Sequence, residues 1–300
     1  MKAEFGINTM TPETFGIDRK AFDGFAEFMR ERDAIRERKE GGHTQPWTDD
    51  KILKGYHFTN IRREDDRVSK FLFEEWYPHV VDSKKPEHIW AKIMVARFVN
   101  NPDSLKLIAN LIELEKYADA GKKLYNYSED GNTVFRSAYL QPEIKGVSRL
   151  DKIFSVFLPQ LLETNIRTDK IQHAVEDLCQ IKYFGEFIAG QMALDAIHIV
   201  PGEWDDIFTF APIGPGSMRG LNRLRNAPLT RKLKRAAYDR EISELHACPG
   251  MNQWRAFDLE HALCEWDKYE RLRLNQGSYN RKRNDHDTKD FDNYIHRGLF

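Results

Sequence analysis

Ile181-Lys182-Tyr183-Phe184-Gly185-Glu186-Phe187, then Asp205-Asp206, then Gly214-Pro215-Gly216-Ser217-Met218-Arg219-Gly220-Leu221, is the stretch on which the fold of this 300-residue chain turns. Helical periodicity flanks Gly185 on both sides, over about 168–181 and 186–197, so the glycine marks a tight helix–turn–helix. Such a turn presents backbone N–H groups and the positive end of the second helix dipole to an anion. An ordinary glycine cap between two packed helices has the same spacing, and spacing alone leaves both readings open.

Apolar residues recur at helical spacing through most of the remaining chain. Phe22, Phe25, Ala26 and Met29 predict an amphipathic helix over 17–40 that stops at Gly41-Gly42. Pro46-Trp47-Thr48-Asp49-Asp50 predicts a turn in which Thr48 or Asp49 caps the next helical turn. Val68, Phe71 and Leu72 predict a helix over 61–76, opening on the charged run Arg62-Arg63-Glu64-Asp65-Asp66-Arg67. Further helices are expected over 87–99, 102–119, 150–164, 217–225, 229–246 and 258–274. A weak strand signal lies at Gly131-Asn132-Thr133-Val134-Phe135.

The expectation is an all-α fold of two helical lobes around a central cleft, 17–125 with 226–274 in one and 140–225 with the hairpin 181–186 in the other. Residues 275–300 read as a flexible basic tail. Charged residues make up 31% and hydrophobic ones 41%, with a net charge of −1, which excludes a disordered or membrane-embedded class. Basic residues nonetheless crowd two segments, Arg223 to Arg235 and Arg271 to Arg283, and such clusters suit a phosphate track or a solvated face. Three scattered cysteines, Cys179, Cys248 and Cys264, argue against a disulfide framework or a zinc knuckle. No apolar run reaches membrane-spanning length and the start lacks a signal-peptide layout, so a cytoplasmic location is expected.

Several residues have the chemistry of a site. Asp205 and Asp206 suit a general base or a helix cap. Gly214 and Gly216 with Arg219 suit an anion site at a helix start, but the run lacks the Gly-Lys-Ser/Thr ending of a P-loop, which argues against a kinase activity encoded here. Asn60, Arg63 and Arg67, three or four residues apart with Asp66 among them, would share a helix face suited to a base edge or a phosphate, or to a salt-bridge network. Glu260, Cys264 and Lys268 fall on one face of the last helix, with Cys264 as core. Gln191 and Lys268 complete the candidate substrate set, and Lys182, Phe184 and Gly185 the DNA-contacting set. Neither a metal nor a cofactor is expected.

Six ordered motifs carry a resemblance: Pro46 to Asp50; Phe58 to Arg63 with Asp66-Arg67; Ala96 to Asn100; Phe184 to Phe187; Gly214 to Gly216 with Arg219 to Leu221; and Leu263 to Tyr269. The chain resembles, over about residues 22–283, the phage DNA base hypermodification proteins. These are also called alpha-glutamyl/putrescinyl thymine pyrophosphorylases, or the helical domain found with 5-hydroxymethyluracil DNA kinases. The resemblance implies a fold like that of helix-hairpin-helix DNA glycosylases. It further implies a transferase that flips a phosphorylated 5-hydroxymethyluracil out of DNA and lets an amino acid or polyamine displace the phosphate, in partnership with a kinase, in an infected cell. In the glycosylases that also cleave the strand, a lysine follows the hairpin glycine. Glu186, Phe187 and Ile188 stand there instead, which argues against an imine mechanism. In this scheme Arg63, Arg67, Arg219 and Lys268 would stabilise the leaving phosphate, and Asp205 or Asp206 would take the proton of the amine. The alternatives are a glycosylase-like base-excision enzyme and a non-catalytic DNA-binding module.

Overall fold

Asp18 accepts the backbone N–H of Ala21 at 2.8 Å and so starts the first long helix of the computed structural model, α1 (Arg19–Glu40). The structure describes residues 11–80, 85–136 and 141–276. Most of the expected tail lies outside these residues. The regular elements among the described residues are all helical, and the segment with the weak strand signal is loop.

Asp50, rather than Thr48 or Asp49, caps α2 (Lys51–Gly55) through the N–H groups of Ile52 and Leu53. The charged run expected to be helical from residue 61 forms a 3-10 turn (Arg63–Asp65) instead, and α3 (Arg67–Phe71) begins only after Asp66. Asn60, Arg63 and Arg67 therefore do not share a helix face. A π-helical turn (Leu72–Trp76) leads into α4 (Tyr77–Val80). Next comes α5 (Pro86–Val99), whose residues 89–99 are all buried, as a helix enclosed on every side requires. The helix expected over 102–119 is two, α6 (Pro102–Glu113) and α7 (Tyr117–Glu129), broken where Glu115 takes a left-handed φ of 58°. They are followed by α8 (Arg149–Asp151), a π-helical turn (Lys152–Phe157), α9 (Leu158–Glu163), α10 (Ile171–Leu178) and α11 (Glu186–Ile199). The chain continues with α12 (Pro215–Leu224), α13 (Arg235–His246) and α14 (Ala256–Arg273).

Packing groups these helices differently from the expected lobes. α5 lies against α6, α9 and α11, with α10 on α11 and α7 on α6, whereas α14 lies against α1, α2, α12 and α13. Thus α5 to α7 join the hairpin helices, and α12 leaves them for α14.

The turn between α10 and α11 has the expected place but a different conformation. Gly185 is extended (φ −110°, ψ 167°) and caps α11, while Tyr183 takes the left-handed φ of 77°. Phe184 is buried, edge-on to Phe98 and Phe157, with centroids 5.7 and 5.1 Å away. It anchors the turn to the core and leaves Lys182, Tyr183 and Phe187 at the surface.

Glycines set the approach of α12 to α14. A Cβ at Gly216 would stand 2.3 Å from Cys264 Sγ, and one at Gly220 2.6 Å from the Leu263 carbonyl oxygen. The first obstacle is a side chain, the second is backbone. Gly220→Ala is therefore expected to lower stability by about 1–3 kcal/mol. Gly216→Ala should be partly restored by Cys264→Ala, and thermal melting of the three variants measures the contrast.

Candidate active site

The two helix groups meet at the irregular segment 58–66, which α1 holds from behind. Arg32 donates to the carbonyl oxygens of Phe58 (3.2 Å) and Thr59 (3.1 Å) and to Asn60 Oδ1 (2.9 Å). Asn60 N–H donates to Asp66 Oδ1 at 2.9 Å, and Asn60 Nδ2 donates to the Asp65 carbonyl at 2.8 Å. Both ends of the Asn60 amide are thus engaged in shaping the segment rather than offered to a base edge. Asp66 is desolvated enough to lift its carboxyl to about 6 despite the N–H of Asn60.

Segment 58–66 meets α14 through Thr59. Its N–H reaches Glu265 at 3.3 Å, and its hydroxyl pairs with His261 Nε2 at 2.7 Å. Burial depresses the His261 imidazole to about 4, so the ring is neutral at physiological pH. Glu265 is ion-paired with Lys268; burial favours its acid form, but Lys268 and His261 outweigh that and hold it below the usual carboxylate range.

Glu260 lies one helical turn before Cys264, on the face of α14 turned to the start of α12. A Cβ at Gly214 would stand 2.8 Å from Glu260 Oε1, so the glycine leaves the space that this carboxyl occupies. Ser217 closes the same turn: its hydroxyl donates to the Gly214 carbonyl (3.0 Å), accepts from Tyr238 (2.8 Å) and lies within reach of Glu260. Burial raises Glu260 to about 7, against the opposing pull of Ser217 and of Arg63. A carboxyl poised near neutrality, beside a helix N-terminus, has the proton affinity of a general base. Cys264, its thiol pushed by burial up to about 12, fills the space over Gly216 and is packing.

From segment 58–66 the polar network continues into α11. Arg63, 4% exposed, donates to the Gln191 carbonyl at 3.1 Å and lies 3.5 Å from Asp195. Asp195 is also bound by both arms of Arg97 and by Tyr77 OH (2.5 Å). Burial would raise Asp195, but Arg97 and Arg63 overcome it and keep the carboxylate ionised.

The structure thus brings together Asn60, Arg63, Asp66, Gln191 and Lys268 from the expected set, and adds Thr59, Glu260, His261 and Glu265. Other members lie elsewhere. Arg67 is exposed at the start of α3, and Arg219 is paired with Asp267 at 2.7 Å beside Arg223. Gly214 and Gly216 admit Glu260 and Cys264, so the start of α12 faces a carboxyl and a thiol where an anion was expected. Asp206 accepts from the N–H groups of Ile171 (2.7 Å) and Gln172 (2.9 Å), capping α10, and Asp205 is exposed. Both oxygens of Asp206 are thus engaged in the cap. Asp206→Ala should cost about 0.5–2 kcal/mol in denaturant unfolding. Sequence reading places Glu260 on one face of α14 but not among the candidate site residues, because its environment is the pairing of a buried acid with a glycine 46 positions away in sequence, which no local pattern contains.

A family model described as "5-hmdU DNA kinase, helical domain" matches residues 19–279. A "5-hmdU DNA kinase" of Bacillus phage SP10 is 23% identical over 204 residues, which cover 60% of this chain and 32% of that protein. The chain spans about a third of the length of this relative. No solved structure matches. Among the described residues no helix is long and apolar enough to cross a membrane.

Proposed function

The chain belongs to the family of 5-hmdU DNA kinase helical domains, and from that premise we propose that it is a thymine-hypermodification transferase of phage DNA. Its substrate is 5-phosphomethyluracil in DNA, made by a kinase acting on 5-hydroxymethyluracil and presented as a flipped base. The nitrogen of an amine attacks the methylene carbon, the carbon–oxygen bond to phosphate breaks, and phosphate leaves with the electron pair. The proton released by the amine goes to the Glu260 carboxylate. Arg63 and Lys268 offset the charge that grows on the phosphate.

The observation that carries this reading is the place of the buried Glu260 carboxyl over Gly214 and Ser217 at the start of α12, where burial lifts it to about 7 against the pull of Ser217, Arg63 and Lys268. Support for a glycosylase-like helix-hairpin-helix architecture comes from α10, the turn and α11, whose surface residues Lys182, Tyr183 and Phe187 suit a DNA strand. Asp205 stays in this reading as a surface residue near the mouth of the next loop, without a chemical role.

A second reading is favoured by the name of the relative: the domain holds DNA for a kinase and performs no transfer itself. Mass spectrometry of nucleosides, from phosphomethyluracil DNA incubated with the protein and a pool of amino acids and polyamines, separates the two. A new aminated thymidine supports transfer. An unchanged nucleoside profile, with DNA binding intact, rejects it in favour of the holding role.

A further inference from the structure

Three helices bring three side-chain oxygens to one point. Ser217 of α12 and Glu260 of α14 both stand over Gly214, where a Cβ would lie 2.8 Å from Glu260 Oε1 and 3.3 Å from Ser217 Oγ. From α13, Tyr238 donates its hydroxyl to Ser217 Oγ at 2.8 Å. Ser217 and Tyr238 are both 0% exposed, so neither hydroxyl reaches bulk solvent. Burial also pushes the Tyr238 hydroxyl well above the usual tyrosine range, and it stays protonated, a donor, across physiological pH.

A serine hydroxyl has one proton to give and two lone pairs with which to accept. Both lone pairs of Ser217 are taken, one by Tyr238 and the other by the Gly214 N–H at 3.3 Å. That leaves its own proton, for which two acceptors lie within reach: the Gly214 carbonyl at 3.0 Å and the Glu260 carboxyl. The carbonyl does not depend on this proton, because it also takes the Met218 N–H at 3.0 Å. A hydroxyl that can only donate favours the ionised carboxyl, the stronger acceptor, and has no lone pair left for the proton of the acid form.

We propose that Tyr238 is a positioning residue for Glu260: by filling a lone pair of Ser217 it holds that hydroxyl as a donor, which turns from the Gly214 carbonyl to the carboxylate when Glu260 is ionised. No proton passes through Ser217 or Tyr238. The serine O–H only rotates, and the proton that Glu260 takes up is released afterwards to water. The inference rests on the reading of Glu260 as the base of the transfer and adds the group that readies it. The other titratable groups facing the carboxyl are Arg63 from segment 58–66 and Cys264, Glu265 and Lys268 from α14, while Arg235 of α13 faces Tyr238. All are retained when the Tyr238 hydroxyl is removed.

Carboxyl ¹³C NMR titration of the whole chain, without DNA, tests it, with the Glu260 resonance identified by its loss in Glu260→Gln. Tyr238→Phe keeps the ring but opens a lone pair on Ser217 to the acid form, so the Glu260 midpoint should rise from about 7 by about one pH unit. Ser217→Ala removes the donor from the other side and should raise the midpoint too. In the transfer assay the pH limb of Tyr238→Phe should move with the midpoint, the rate being about 10-fold lower well below it and close to wild type well above it. A Tyr238 that only packs the core would lower the melting temperature and leave the midpoint in place. That result, or an unchanged or lowered midpoint in Ser217→Ala, overturns the proposal. A raised midpoint in both variants but no aminated nucleoside from the wild type leaves the positioning role standing and removes the transfer reading. Aminated product with an unmoved midpoint does the reverse.

Discussion

Glu260→Gln should lower the rate of the proposed amine transfer by about 10²–10⁴-fold, the range that a positioned general base contributes. Gln keeps the shape of the carboxyl and removes its proton affinity, so DNA affinity should persist while turnover falls. The wild-type rate should rise with pH through about 7 as Glu260 ionises, and the variant should lose that limb. A wild-type rate in the variant would remove Glu260 from the mechanism.

The same variant has an independent signature in stability. Burial raises the Glu260 carboxyl from 4.5 to about 7 in the folded chain, so the folded state holds a proton that the unfolded state has released between those values. The stabilisation is complete below pH 4.5 and is lost as pH rises through about 7. Gln stays neutral throughout. Glu260→Gln and wild type should therefore be equally stable near pH 4, and the variant more stable near pH 8 by an amount on the order of 3 kcal/mol. Asp66 titrates in the same direction and His261 in the opposite one, but both are present in the two proteins and cancel in the difference. Urea unfolding at the two pH values measures it, and a difference that does not change with pH would contradict the assignment.

The second large effect is at the buried pair of α5 and α11. Arg97 and Asp195 are 2% and 1% exposed, and Arg97 also donates to Ser69 at 3.2 Å. Arg97→Met leaves Asp195 charged in the interior with Tyr77 and Arg63 alone, and is expected to destabilise by about 3–5 kcal/mol. Adding Asp195→Leu should recover part of that loss, because the cost lies in the uncompensated charge more than in the absent bond. Asp195 has a depressed pKa in the fold, so its contribution is complete above the ordinary aspartate value of 3.8 and is lost as pH falls below it. In Arg97→Met the main cause of the depressed pKa is gone, so the acid-induced loss from Asp195 should shrink and the variant's deficit relative to wild type should narrow as pH falls. Destabilisation below 1 kcal/mol in denaturant unfolding would show that the pair is not a keystone of the core.

The helices were legible because each carries its own instruction. The spacing of Phe22, Phe25 and Met29 predicts α1 without reference to the rest of the chain, and all three are buried. Spacing also placed Glu260 and Cys264 on one face of α14, the face that meets α12. It failed where a charge finds its partner far away. Arg62 to Arg67 look like the first turns of a solvated helix, yet Arg63 is drawn to Gln191 and Asp195, more than 120 positions on, and Asn60 closes the segment on Asp66 and Arg32. No i, i+4 rule contains such pairs.

Gly185 and Asp206 show the same limit of local sequence. Gly185 marks the turn in the sequence, but the left-handed backbone falls on Tyr183, next to Phe184, which packs on Phe98 and Phe157. Asp206 had equal claims as base and cap until the N–H groups of α10, 35 positions upstream, were found on its oxygens.

The sequence by itself determined the helical class, the place of α1, α5, α11 and α14, the turn before α11 and the family, all of which follow from side-chain periodicity and ordered local motifs. Only the tertiary structure decided which carboxyl is lifted toward neutrality. The proton affinity of a carboxyl depends on its burial and on the charges around it, and Glu260 acquires both from α12 and from segment 58–66 across the packed interface.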